Sequence, residues 1–160
     1  MEQTFKNFLI RDWQTKDRSD AAEVIRSVLA EYGLGWEPDG ADIDVVAVEK
    51  HYRQGAFWVV EHHGTVVGTA AYYPVPRGEQ AVEIRKMYLR PQVRGLGLGH
   101  FLLQSLEARI TEQGFQQIWV ETASVLKEAV QLYEASGYEA ATGVETLRCD
   151  LIYMKLLSTS

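Results

Sequence analysis

The chain has 160 residues, 46% hydrophobic and 24% charged, with 16 Lys and Arg against 22 Asp and Glu, a net charge of −6 and an isoelectric point near 5.2. That length fits one domain, residues 1–160, that buries roughly 70% of its unfolded surface without staples. The acidic balance excludes a nucleic-acid partner, the single Cys149 excludes an internal disulfide, and no apolar run reaches the ~18 residues of a membrane span. No secretory signal is evident at the start, so a cytoplasmic location and no membrane partner are expected.

Phe8 to Trp13 reads as a short strand. Val24, Ile25, Val28, Leu29 and Tyr32 then mark one face of a helix that Gly33 stops. The turn-rich, acidic "GLGWEPDGADID" follows, and "DIDVVAVEKHYRQG" predicts a second, shorter helix ending at Gly55. Two β-rich runs meet at a hairpin signal, His63-Gly64. "GEQAVEIRKMYLRP" is a third strand of this set, stopped by Pro91. Leu98, Leu102, Leu103, Leu106 and Ile110 mark another helix, "FQQIWVETA" a buried strand, and "SVLKEAVQLYEASG" a helix with Ser124 as N-cap and Gly137 as its end. "RCDLIYMKLL" closes the chain as a strand. The order predicts a mixed α/β domain with a crossover helix in its later part.

Between the "MYLRP" strand and the next helix lies "VRGLGLG", Val93 to Gly99. A strand–glycine–helix junction gathers backbone N–H groups at a positive helix end, which suits an anion. The dinucleotide fingerprint fails, because its third glycine would fall on His100 or Leu102. A P-loop fails for want of a Lys-Ser or Lys-Thr pair. A turn that merely lets a helix pack close to a sheet is the plain alternative.

Four segments in order carry a resemblance. "MYLRPQVRGLGLGHFLL" resembles the acyl-CoA-binding motif of the GNAT N-acetyltransferase superfamily, Gln/Arg-x-x-Gly-x-Gly/Ala, at Arg94, Gly97 and Gly99. "EIRKMYL" resembles that family's fourth strand, "QIWVETAS" its fifth, and "AVQLYEASGYEA" its Ala-x-x-Leu-Tyr-x-x-x-Gly-Phe/Tyr helix end. The resemblance implies a single-domain GNAT-like α/β fold, with a mixed, mostly antiparallel sheet flanked by helices and splayed fourth and fifth strands. It implies acetyl-CoA as co-substrate, no metal, and direct attack of an amine on the thioester through a tetrahedral intermediate.

On that resemblance the pyrophosphate falls to Arg94, Gly95, Leu96, Gly97, Leu98 and Gly99, and the pantetheine arm to the strand edge at Met87, Tyr88 and Leu89. Thr122, Lys127 and Tyr133 complete the expected cofactor contacts. The residues add support at one point. Val82 and Ile84 are apolar on one phase of the strand, Met87 and Leu89 on the other. That slip reads either as a β-bulge or as a strand covered on both faces. The family has a bulge here, which would free a backbone N–H, that of Leu89, for the oxyanion. Glu83 matches the family's catalytic glutamate, a general base acting through water; it also fits a plain ion pair with Arg85, and Glu121 is the second candidate base. Tyr133 matches the usual general acid, which protonates a thiolate whose thiol has a pKa of about 8.5.

Ser124 and Lys127 form an isolated S-x-x-K without its partner motifs, and the four histidines read as exposed turn residues, not a zinc site. Glu31, Glu37, Asp39, Asp42 and Asp44 with Trp36 make an acidic, aromatic segment, read either as a lid for a cationic amine or as solvated loop acids. The expected partner is a small-molecule or peptide amine. Leu151, Ile152, Tyr153 and Met154 suit the core or a homodimer sheet. The alternatives to an enzyme of this kind are a CoA-binding sensor without transfer activity, which has no need of Glu83 and Tyr133, and a nicotinamide oxidoreductase, disfavoured by the failed fingerprint.

Overall fold

The computed structural model describes residues 1–142 and 148–157. Its elements are β1 (Glu2–Phe5), β2 (Phe8–Asp12), α1 (Arg18–Glu31), α2 (Ile43–Val46), α3 (Val48–His51), β3 (Ala56–His62), β4 (Thr65–Pro74), β5 (Ala81–Leu89), α4 (Leu98–Glu112), β6 (Gln117–Thr122), α5 (Lys127–Ala135), β7 (Glu139–Ala141) and β8 (Leu151–Leu156). The strands form one sheet in the order β1-β2-β3-β4-β5-β6-β8-β7. Among the described residues only β5 and β6 pair in parallel, and α4 supplies the crossover that parallel neighbours require. The chain is thus a mixed, mostly antiparallel α/β fold, and β5 and β6 are the two strands expected to splay.

Each sheet face has its own core. Val82, Ile84, Ile118 and Val120 pack with Leu102, Leu103 and Leu106 of α4 on one face. Val59, Val66 and Ala71 pack with Val24, Ile25 and Leu29 of α1 on the other. Arg11 of β2 anchors the start of α1: its guanidinium donates to both carboxylate oxygens of the buried Asp17, at 2.8 and 2.9 Å.

Three expectations about local structure need correction. The predicted second helix is two single turns, broken at Ala47, whose φ of −131° and ψ of 56° are not helical. Three β-branched residues, Val45, Val46 and Val48, give this segment little helical drive of its own. Gly55 therefore does not cap a helix. It is glycine because the chain passes close to β4: a Cβ there would lie 1.9 Å from the Tyr72 carbonyl oxygen and 2.9 Å from the Tyr73 Cα. Gly55→Ala is expected to lower stability by about 2–3 kcal/mol, the cost of forcing an extra methyl into a packed site. Thermal and urea melts check this; an unchanged midpoint would show that β3 and β4 shift apart freely.

Ser124 does not cap α5, which begins at Lys127; its N–H and hydroxyl both bind Asp150, each at 2.7 Å. Of the two readings of β8, the core holds for Ile152 and Tyr153, which are buried within the chain; β8 lies between β6 and β7, and β7 covers Ile152 to Met154.

Candidate active site

The phase slip in β5 is a bulge. Ala71 of β4 faces Arg85, but Thr69 faces Tyr88, so β5 carries one extra residue. Lys86 takes it up at φ +53°, a conformation that L side chains avoid. Two sets of contacts hold it there. The Thr69 hydroxyl donates to the Lys86 carbonyl at 2.6 Å, and the buried Lys86 ammonium reaches Ala41 O at 3.0 Å and Asp42 Oδ1 at 3.1 Å. The bulge puts Met87 and Leu89 on the face of Val82 and Ile84, and turns Tyr88 to the other.

Pairing of β5 with β6 stops at Ile84 and Val120, while β6 continues along β8 to Thr122. Beyond Ile84 the two strands part. The Arg90 N–H donates to Val67 O, so by alternation the Leu89 N–H and C=O point away from β4, into the gap. There the Leu89 carbonyl accepts from Arg94 Nε at 3.0 Å.

A cavity of about 250 Å³ fills the gap, walled by Met87, Tyr88, Leu89, Arg94, Gly95, Gly97, Gly99 and Tyr133. Gly95 and Gly97 have φ of +76° and +84°, which turns the chain sharply into the N-terminus of the 15-residue α4. Successive left-handed glycines before a helix aim N–H groups at one point. A Cβ at Gly99 would project against Leu132 and Leu89, into the cleft. These residues therefore fit a phosphate group and an extended arm.

The other expected cofactor residues lie differently. Leu96 points to solvent, and its carbonyl accepts from Lys6 Nζ at 2.7 Å. Leu98 is buried in the core, so only the backbone of these two faces the loop. Lys127 is exposed at the start of α5. Thr122 is buried and lines a second cavity, of about 50 Å³, on the far side of Met87, Tyr88 and Tyr133. Residues the sequence reading missed also wall the first cavity, notably Tyr32, just after α1, and His100. His100 is therefore not a turn residue but part of the first helical turn of α4. Arg94 is not a free surface cation: it pairs with Glu31, and its Nη1 donates to the Tyr32 hydroxyl at 3.2 Å, which straps the glycine loop to the end of α1.

Tyr133 is buried between the two cavities, its ring 5.6 Å from that of Tyr138 and 6.4 Å from that of Tyr153. Burial, with Tyr88 nearby, pushes its hydroxyl well above the usual phenol range, so it holds its proton at neutral pH. Glu83 is buried in β5 between Tyr73 and Trp119. Desolvation raises its pKa above 4.5, Arg85 opposes the rise, and Glu121 adds to it. Its Oε1 lies 3.6 Å from Arg85 Nη1, so the pairing weighed as an alternative is present but loose. Glu121 lines the second cavity and accepts from Arg77 Nη2 at 2.6 Å.

The acidic segment divides: Glu31, Glu37 and Asp39 are exposed, as solvated loop acids would be, and the other two are not. Asp42 and Asp44 are buried. Asp42 takes Lys86 and both terminal nitrogens of Arg148, at 2.6 and 2.8 Å, and Asp44 accepts from Tyr52. The cations come from residues 44 to 106 positions away, so no local pattern announced them. No helix among the described residues is long and apolar enough to cross a membrane.

Residues 21–138 match the family model described as the acetyltransferase (GNAT) family. The chain is 36% identical over 136 residues to the uncharacterized N-acetyltransferase YjgM of Escherichia coli K12, covering 82% of this chain and 81% of that one. It is 32% identical over 106 residues to the probable N-acetyltransferase family 8 member 5 of Mus musculus, covering 64% of this chain and 45% of that protein. Among solved structures, a GNAT-family acetyltransferase of Staphylococcus aureus Mu50 superposes with a TM-score of 0.86 at 20% identity, over 94% of this chain and 99% of that one. A GNAT-superfamily phosphinothricin acetyltransferase of Sinorhizobium meliloti, solved in complex with AcCoA, gives a TM-score of 0.75 at 20% identity, over 94% and 89% of the two chains.

Proposed function

The chain belongs to the acetyltransferase (GNAT) family of acyltransferases, and on that premise we propose that it moves an acetyl group from acetyl-CoA to a primary amine by direct attack in a ternary complex. The observation that carries this reading is the pair of cavities that meet at Met87, Tyr88 and Tyr133. One opens onto the glycine loop and has room for the pantetheine arm. The other approaches the same point from the α1 side and suits the acceptor. A ternary complex needs two entrances to one centre, and a sensor needs only one.

Acetyl-CoA, when bound, supplies a thioester that an amine can attack. The chain's residues do the rest. Backbone N–H groups from Gly95 to Gly99 and the N-terminus of α4 bind the pyrophosphate. The edge at Met87 pairs with the amides of the arm as a neighbouring strand would, since the Leu89 carbonyl already accepts from Arg94 Nε. The Leu89 N–H stabilises negative charge on the carbonyl oxygen. Glu83 takes the ammonium proton through a water, because a protonated amine has no lone pair to attack with. Tyr133 donates a hydrogen bond to the sulfur as it leaves.

Calorimetry with CoA and free-thiol release from acetyl-CoA across amines test this together. Saturable CoA binding and amine-dependent, stoichiometric thiol release are expected. In initial-rate plots, varying both substrates should give intersecting lines; parallel lines would point to an acetyl-enzyme and against direct attack. CoA binding with no transfer to any amine would favour the sensor.

A further inference from the structure

The second cavity names a class of acceptor, an inference that rests on the acetyl-transfer reading. Its volume of about 50 Å³ holds the equivalent of roughly four waters, room for the reacting end of a small acceptor. Its charged lining among the described residues is three cations, Arg85, Lys86 and Arg148, and one acid, Glu121. Lys86 and Arg148 are committed to Asp42, and Glu121 to Arg77.

Arg85 is different. Its side chain is about four-fifths buried, with the guanidinium lying over the Tyr73 ring, 5.2 Å from the centroid. Nη2 donates to Ala41 O at 3.3 Å, a long bond. The flanking carboxylate oxygens, of Glu83 and Asp44, both stand at 3.6 Å, beyond hydrogen-bond reach. Its Nε is buried, 3.6 Å from Asp44 Oδ2, and has no hydrogen-bond partner among the described residues. A buried guanidinium with an unfilled donor costs free energy unless something completes it. Its planar fork matches a carboxylate by two parallel bonds. We infer that the acceptor is a small amino acid, its carboxylate held by Arg85 at the wall of the second cavity and its amine directed at the gap between β5 and β6. A protein lysine and a peptide N-terminus have no carboxylate within a few atoms of the amine, so this geometry disfavours both.

The test compares each common L-amino acid with its C-terminal amide and its decarboxylated amine in the thiol-release assay. At least one acid should exceed both analogues in kcat/KM by about 100-fold, as when a buried charge loses its partner. In Arg85→Gln that ratio should collapse towards one, chiefly through KM for the acid. Arg85→Lys, which keeps the charge and loses the fork, should fall between. A merely structural defect would lower acid and amide alike and leave the ratio standing. Amides or simple amines used as well as the acids, or no member of the panel used, would overturn the inference. CoA calorimetry on the same protein separates that failure from failure of the acetyl-transfer reading: intact CoA binding with turnover of amides removes only the carboxylate.

Discussion

Tyr133→Phe is expected to lower kcat by about 100- to 1,000-fold, leaving KM for acetyl-CoA within about twofold of its original value. The reasoning starts from where the hydroxyl lies and how tightly it keeps its proton. Tyr133 is buried between the two cavities, and desolvation with Tyr88 nearby holds its pKa above that of an ordinary phenol. The thiol of the leaving group ionises at about 8.5, so complete proton transfer from the phenol to the thiolate runs uphill. The useful act is therefore a hydrogen bond that strengthens as charge builds on sulfur, an interaction made only in the transition state. Losing it lowers kcat and kcat/KM together. The ring stays, so the packing against Tyr138 and Tyr153 stays, and the melting temperature should hardly move. A thioester of a more acidic thiol needs less help in leaving, so the gap between wild type and Tyr133→Phe should narrow with such a donor. Equal turnover by both proteins would return Tyr133 to the status of a core aromatic.

Much of this site was legible because its signals are local. The glycines of "VRGLGLG" and the apolar rhythm of α4 sit side by side in the chain. The bulge showed as a change of phase between Ile84 and Met87, since a single extra residue swaps the faces of a strand. Which residue absorbs it was not legible, because Lys86 is held at positive φ by Thr69 and Asp42, 17 and 44 positions away. The strand β1 went unseen: four residues with alternating exposure at a sheet edge carry no apolar run. Misreading Ser124 as a cap followed from local logic alone, since its partner Asp150 arrives from the other side of β6. The acidic segment misled for the same reason. Its acids were counted as free because the cations that neutralise them, Lys86 and Arg148, belong to other elements.

The opposed pH dependences of activity and stability at Glu83 give the second large effect. Glu83→Gln is expected to reduce kcat/KM by about 100-fold or more at neutral pH. Desolvation raises the Glu83 pKa, against the pull of Arg85 and with a push from Glu121. As a base it works only when ionised, so wild-type kcat/KM should fall as pH drops through this raised value, and Glu83→Gln should lose that limb. Stability runs the other way. Because the folded pKa exceeds the unfolded one, the native state holds the proton more tightly. The group's favourable contribution is complete below the unfolded pKa and is lost as pH rises through the folded one. Melts of the two proteins across that window should therefore converge at low pH relative to neutral pH. Glu121→Gln serves as the control. It lines the second cavity but is held by Arg77, so removing its charge should cost less activity and leave the acidic limb in place. Were Glu83→Gln to keep the limb and Glu121→Gln to lose it, the base would be Glu121 and Glu83 a buried counter-charge for Arg85. The same burial that raises the Glu83 pKa makes its ionised form a burden on the fold, and the two pH profiles read that one desolvation from opposite sides.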